Sequence, residues 1–189
     1  MNSAIHTLRN LGSFTDADLT QIEQKLRISK YQKGSEILKT GEVCRSIYFI
    51  ITGSVRQTQE IDGTELTINL VTENTWFFDQ KSFVEQKVSE TSLVCFEDSE
   101  ICSLTVHAIH ELIAESQVFF QLGKLFQIAA GKHGNDFYLL SPEDRYTRLL
   151  ATNPRVIQKF PLRYIASYLQ ITPETLSRVR KRIAVGELS

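Results

Sequence analysis

The sequence predicts an α+β chain in which a β-rich body, a barrel, roll or jelly roll, precedes a helical tail. Three observations carry this: short β-branched and aromatic runs at near-regular spacing, a helical-period apolar stripe after residue 116, and a reversal of charge near residue 141. With 189 residues, 42% of them apolar, the chain is large enough for a β-rich domain and a smaller second one. No apolar run approaches the roughly 18 residues that span a bilayer, and no apolar segment follows a basic start. The expectation is a cytoplasmic chain with no membrane partner.

At the N-terminal end, Leu8, Leu11, Phe14, Leu19, Ile22 and Leu26 are spaced for short helices, with Thr15 or Asp16 as N-cap. The period then shortens. Tyr31, Ile37-Leu38, Ile47 to Ile51, Val55, Leu66 to Leu70, Leu93 to Phe96 and Ile101-Cys102 read as strands, punctuated by Gly34, Gly41, Gly53 and Asp62-Gly63. Asp-Gly between two such runs predicts a hairpin, because both central residues of the favoured turn need positive φ. Cys44, Cys95 and Cys102 are widely spaced among apolar neighbours, with no CxxC, and read as buried free thiols.

Within residues 116–140, Val118, Leu122, Leu125 and Ala129 alternate at spacings of four and three, widened by Phe119 and Phe126. This predicts one helix of about 36 Å with a coiled-coil-like seam, the expected contact of a homodimer. The alternative is that the stripe packs only on its own β-body. Gly131 and Gly134 weaken the end of this helix, and Ser141-Pro142-Glu143-Asp144 starts the next: a serine cap, proline in the first turn, then acids. The expected domains are 1–115, 116–140 and 141–189.

Residues 141–189 hold nine Lys/Arg against four Asp/Glu, a net +5, on a body of opposite sign. A basic tail on an acidic body points to a polyanion partner for the tail alone. Leu162, Ile165, Ala166 and Leu169 form one face of a two-turn helix; Gln170-Ile171 turns; Thr172 caps a second helix with Pro173 at its first position. On that second helix Leu176, Val179 and Ile183 share the buried side, while Glu174, Ser177, Arg178, Lys181 and Arg182 share the other. Solvated faces normally mix signs, and this one carries three cations behind a single acid. The pattern suits a helix read into a DNA major groove, with Glu174 and Arg178 at base edges and Lys181 and Arg182 along phosphates.

At these residues the chain resembles the Crp/Fnr superfamily of regulators. Ile47-Tyr48-Phe49-Ile50-Ile51-Thr52-Gly53-Ser54-Val55 followed by Asp62-Gly63-Thr64-Glu65 is similar to the family's β-roll signature, and Ile171 to Arg178 to its recognition-helix motif. The resemblance implies a double-stranded β-helix or jelly roll of the cyclic-nucleotide-binding type, a dimerising helix and a winged helix-turn-helix. Thr172, Glu174, Thr175, Ser177, Arg178, Lys181 and Arg182 become the DNA-binding set. The family's first base-region arginine falls on Pro173, and the chain after Ile183 is expected to hold a truncated wing. The nucleotide-binding positions fall on Phe78, Asp79, Ser89, Glu90, Thr91 and Ala130, with Gly131 beside the last. Phenylalanine replaces the glycine of the phosphate loop, no arginine remains there, and Glu90 is expected to repel a phosphate. The resemblance therefore implies a chain that does not take cyclic AMP. The aromatics Trp76-Phe77-Phe78 either fill the roll or border a pocket for an unknown small-molecule effector.

The expected function is a homodimeric, sequence-specific DNA-binding transcription regulator without cofactor or metal, with RNA polymerase as a further partner. The alternative is a regulatory module of the same fold that has lost DNA binding. A metal-dependent cupin-type enzyme needs converging histidines, and residues 30–105 contain none. His107, His110 and His133 read as surface or capping groups.

Overall fold

The computed structural model describes residues 2–126 and 139–185. These form two compact units, residues 2–55 with 71–126, and residues 56–70 with 139–185.

The first unit opens with α1 (Asn2–Leu11) and α2 (Asp16–Lys25). Thr15 caps α2 through a capping box: its hydroxyl accepts from the Asp18 backbone N–H, and the Asp18 carboxylate accepts from the Thr15 N–H at 2.7 Å. The strands are β1 (Arg27–Tyr31), β2 (Glu36–Leu38), β3 (Ser46–Thr52), β4 (Ser54–Ile61), β5 (Thr64–Thr72), β6 (Trp76–Phe77), β7 (Ser92–Cys95) and β8 (Ser99–Thr105). They make two four-stranded sheets, ordered β1-β8-β3-β6 and β2-β7-β4-β5. This is the rolled antiparallel body expected. In the first sheet β8 lies between β1 and β3, with Ile28 opposite Cys102 and Phe49 also opposite Cys102.

Ile47, Tyr48, Phe49 and Ile50 are all buried in succession, without the alternation of a half-exposed strand. The reason is cover on both faces: α1 packs against β3, and the Trp76 indole N–H of neighbouring β6 donates to the Thr7 hydroxyl at 2.8 Å. Leu8, Ile22, Phe49 and Leu104 are inaccessible to solvent within one continuous core. The Asp62-Gly63 turn has φ of 51° and 74°, the left-handed pair its sequence demands.

Gly53, between β3 and β4, has φ +97°, and a Cβ there would stand 2.7 Å from the Ser99 Cα. Backbone strain and a backbone clash act together, so Gly53→Ala is expected to lower stability by about 2 kcal/mol. Urea unfolding checks this, and an unchanged midpoint would contradict it.

The single helix expected over 116–140 does not form at its start. After α3 (Gln80–Glu85), α4 (Val106–Glu115) ends at Ser116, which is extended (φ −155°). A 3-10 helix, Gln117–Gly123, follows, and residues 124–126 are helical. Val118-Phe119-Phe120 is a poor α-helical run, and the 3-10 period places i and i+3 side chains in one line. Phe119 and Leu122 use that alignment, and with Leu125 they are buried in the core of their own unit. The described part of the seam is thus interior, while Phe120 is 64% exposed. Ala129, Ala130, Gly131, His133 and Gly134 lie outside the described residues.

The second unit holds the Arg56–Leu70 hairpin and four helices: α5 (Pro142–Thr152), α6 (Pro154–Lys159), α7 (Leu162–Tyr168) and α8 (Pro173–Val185). Ser141 caps α5 as its sequence predicts, accepting from the Asp144 N–H at 3.1 Å. Ile165, Ala166 and Leu169 of α7 and its C-cap meet Leu176 and Val179 of α8, all five inaccessible to solvent. Ala166 allows the close crossing, and Gln170 turns the chain with φ 55°.

Candidate nucleic-acid interface

The N-terminus of α8 is built by Thr172. Its hydroxyl accepts from the Thr175 N–H at 3.2 Å and donates to the Thr175 hydroxyl, which also accepts from the Arg178 guanidinium at 3.3 Å. Glu174 sits in the first turn, where unpaired backbone N–H groups favour an anion. Its own backbone N–H, then the Thr172 hydroxyl and the charge of Arg178, hold its carboxyl below the usual range. Glu174, Ser177, Arg178 and Lys181 are exposed on one side of α8, opposite the buried Leu176 and Val179. Of the seven expected DNA-binding residues, Thr172, Glu174, Ser177, Arg178 and Lys181 are exposed around the start and along one side of α8, and Thr175 is half-buried among them.

Arg182 is the exception. It is exposed but forms a 2.6 Å ion pair with Glu143 of α5, so it braces the helix bundle. Sequence reading missed this because the partners are 39 positions apart. It also missed Arg163, exposed on α7, whose guanidinium stacks 4.7 Å from the Tyr164 ring and donates to its hydroxyl at 2.9 Å.

The expected nucleotide-binding positions come together in the first unit as a closed polar knot. Asp79, 5% exposed, caps α3 by accepting from the Ser82 N–H at 3.0 Å. Its other oxygen accepts from the Ser89 hydroxyl at 2.5 Å and the Thr91 hydroxyl at 2.7 Å, and Ser89 accepts in turn from the Thr91 N–H. A carboxylate thus occupies the donors that an incoming anion would need. Glu90 points outward, exposed and ion-paired with Lys81 at 2.6 Å. Ala130 lies outside the described residues.

Trp76, Phe77 and Phe78 are each under 5% exposed, so these aromatics fill the core. The Phe78 ring meets Phe83 and Phe126 edge-on at 5.2 and 5.6 Å. An apolar cavity of about 200 Å³ borders that cluster, lined by Phe83, Ile109, His110, Phe120 and Phe126 among others. His107 pairs with Glu111 at 3.1 Å on the surface of α4. The three cysteines are buried free thiols, and burial pushes Cys44 and Cys102 up to about 11, which keeps them protonated and unreactive near neutrality. Among the described residues no group of His, Cys, Asp or Glu is placed to hold a metal ion, and no helix is long and apolar enough to cross a membrane.

Residues 28–116 match the family profile described as the cyclic nucleotide-binding domain. No curated protein matches the chain. Among solved structures, FixK2 from Bradyrhizobium japonicum is similar at 20% identity and TM-score 0.68, over 86% of each chain. The catabolite activator protein of Thermus thermophilus is similar at 20% identity and TM-score 0.56, over 93% of this chain and 86% of that one. CLP of Xanthomonas campestris, a global regulator responsive to c-di-GMP, is similar at 17% identity and TM-score 0.61, over 92% and 94%. Residues 28–116 are thus similar to a cyclic nucleotide-binding domain, and the backbone shares the fold of these three proteins.

Proposed function

We propose that the chain is a Crp/Fnr-type transcription regulator that binds duplex DNA as a homodimer through a helix-turn-helix made of α7 and α8. The observation that carries this reading is α8 itself, with aliphatic residues locked onto α7 and Glu174, Ser177, Arg178 and Lys181 presented outward. Such a helix fits the major groove, where arginine pairs with guanine O6 and N7 and glutamate accepts from cytosine N4. Thr172 and Thr175 set the helix start and steer Arg178, while Lys181 meets the phosphate backbone. The fold shared with an activator and a global regulator supports the same reading.

In a twofold dimer the two α8 helices would enter successive major grooves about 34 Å apart. The segment 116–140 remains the proposed dimer contact. Since Phe119, Leu122 and Leu125 serve their own core, the contact falls to outward groups such as Phe120. The Asp79 knot supports a regulator that does not respond to cyclic AMP.

Selection of binding sites from a random duplex library with the purified chain tests the proposal. The expected product is a near-palindrome with half-sites one helical turn apart, and recovery of no enriched sequence would sink the reading. On the selected site Arg178→Ala is expected to cost about 1–3 kcal/mol per half-site and to relax preference at one base pair, measured by fluorescence anisotropy.

A further inference from the structure

Two neighbouring helices of the first unit leave a hollow whose walls follow from their sequences. On α4, Val106, Ile109, His110 and Ile113 fall at i, i+3, i+4 and i+7, one helical face. That face is aliphatic except at His110, where the stripe calls for another apolar residue. In the 3-10 helix the three-residue period sets Phe119 and Leu122 in a buried line and Phe120 and Gly123 in the next, with Phe126 three positions on. Gly123 thus stands between two phenylalanines with no side chain of its own. A Cβ there would meet no neighbouring atom within 4 Å among the described residues. Its φ lies outside the left-handed region, so the backbone does not require glycine; what glycine supplies is space.

This line, the α4 face and Phe83 of α3 border the apolar cavity of about 200 Å³. Protein interiors are close-packed, so a hollow of this size forfeits dispersion contacts along its walls until something fills it. None of its lining residues is Lys or Arg, so it offers a phosphate no counter-charge, and Asp79, Ser89 and Thr91 take no part in it. The rings of Phe83, Phe120 and Phe126 favour a flat aromatic guest, which can meet them stacked or edge-on. Dry cavities of about 150 Å³ with such walls take benzene, so this one admits a substituted ring or two small fused rings. His110 brings the one polar side chain among the described lining residues. It is exposed, so it stands where the hollow meets solvent, and among the described residues it has no hydrogen-bond partner. A neutral imidazole offers both a donor and an acceptor nitrogen.

We propose that this cavity is a binding site for a small uncharged aromatic molecule bearing one hydroxyl or ring N–H. The ring occupies the space that Gly123 leaves between Phe120 and Phe126, and the polar group reaches the His110 imidazole. The site is independent of the DNA-binding reading, and neither requires the other.

The test titrates the full chain with para-fluorophenol and, separately, with fluorobenzene, followed by fluorine NMR. Wild type is expected to bind both saturably at millimolar concentration, with nuclear Overhauser contacts from the probe ring to the Ile109 and Ile113 methyls. Gly123→Leu and Ile113→Phe each push a side chain into the hollow and should weaken both probes by about 10-fold or more. Gly123→Ala adds one methyl and should retain both. His110→Ala should weaken para-fluorophenol by about 3- to 10-fold, the worth of one hydrogen bond, and leave fluorobenzene unchanged. Urea unfolding verifies that each variant folds, and if Gly123→Leu does not, Ile113→Phe carries the comparison. Absence of saturable binding by wild type overturns the proposal, as does binding that the folded, filled variants leave intact. Equal effects of His110→Ala on the two probes overturn the ligand class.

Discussion

Raising salt from about 50 to about 200 mM weakens binding of the selected duplex about 10³-fold. Arg163, Arg180 and Lys181 are exposed cations on α7 and α8. Three such contacts per subunit give about six neutralised phosphates per dimer, and each released counterion adds about 0.9 to the slope of log affinity against log salt. A slope near −5 over a fourfold change in salt yields that loss. Lys181→Ala should flatten the slope by about two for the dimer while leaving base preference alone, because a phosphate contact carries no sequence information. A slope of −2 or shallower, measured by anisotropy across four salt concentrations, would show that the basic face does not lie along the duplex.

Asp79→Ala lowers stability by about 3 kcal/mol. The substitution removes the side-chain cap of α3 and strands the Ser82 N–H and the Ser89 and Thr91 hydroxyls in a buried place. Asp79→Asn keeps a cap and one acceptor, so its loss should be nearer 1 kcal/mol. Urea unfolding of the two variants measures the difference, and an alanine loss under about 1 kcal/mol would mean that the carboxylate does not hold the knot together. The same closed knot predicts no saturable heat when millimolar cyclic AMP or cyclic GMP is titrated into the wild-type chain by calorimetry. Clear saturable heat would mean that a ligand can displace Asp79 from Ser89 and Thr91.

Much of the backbone is legible from short-range pattern. Thr15 and Ser141 cap their helices through residues three positions on, and the Asp62-Gly63 turn depends on two adjacent φ angles. The two sides of α8 follow from helical period alone: Leu176 and Val179 inward, Arg178 and Lys181 outward. The apolar stripe beginning at residue 118 misleads for an instructive reason. A seam spaced by four and three suits a coiled coil, but its described members, Val118, Leu122 and Leu125, pack on the core of their own unit as the first turns tighten to a 3-10 helix, the alternative that the sequence left open. Periodicity records which residues seek burial and is silent on what will bury them.

Local chemistry in the sequence by itself determined the strand-rich body, the capped helices, the left-handed turns and the charged outer side of α8. These depend on neighbours within about four positions, where residue type limits the choices. Tertiary structure alone decided that Asp79 meets Ser89 and Thr91, that Glu90 turns outward to Lys81, that Arg182 is drawn to Glu143, and that Arg56 lies over Tyr164. Each of those contacts joins groups from 9 to 108 positions apart. Side-chain polarity states that such groups need partners; only the packing of the folded chain, which brings a few of many possible partners within hydrogen-bond reach, selects them.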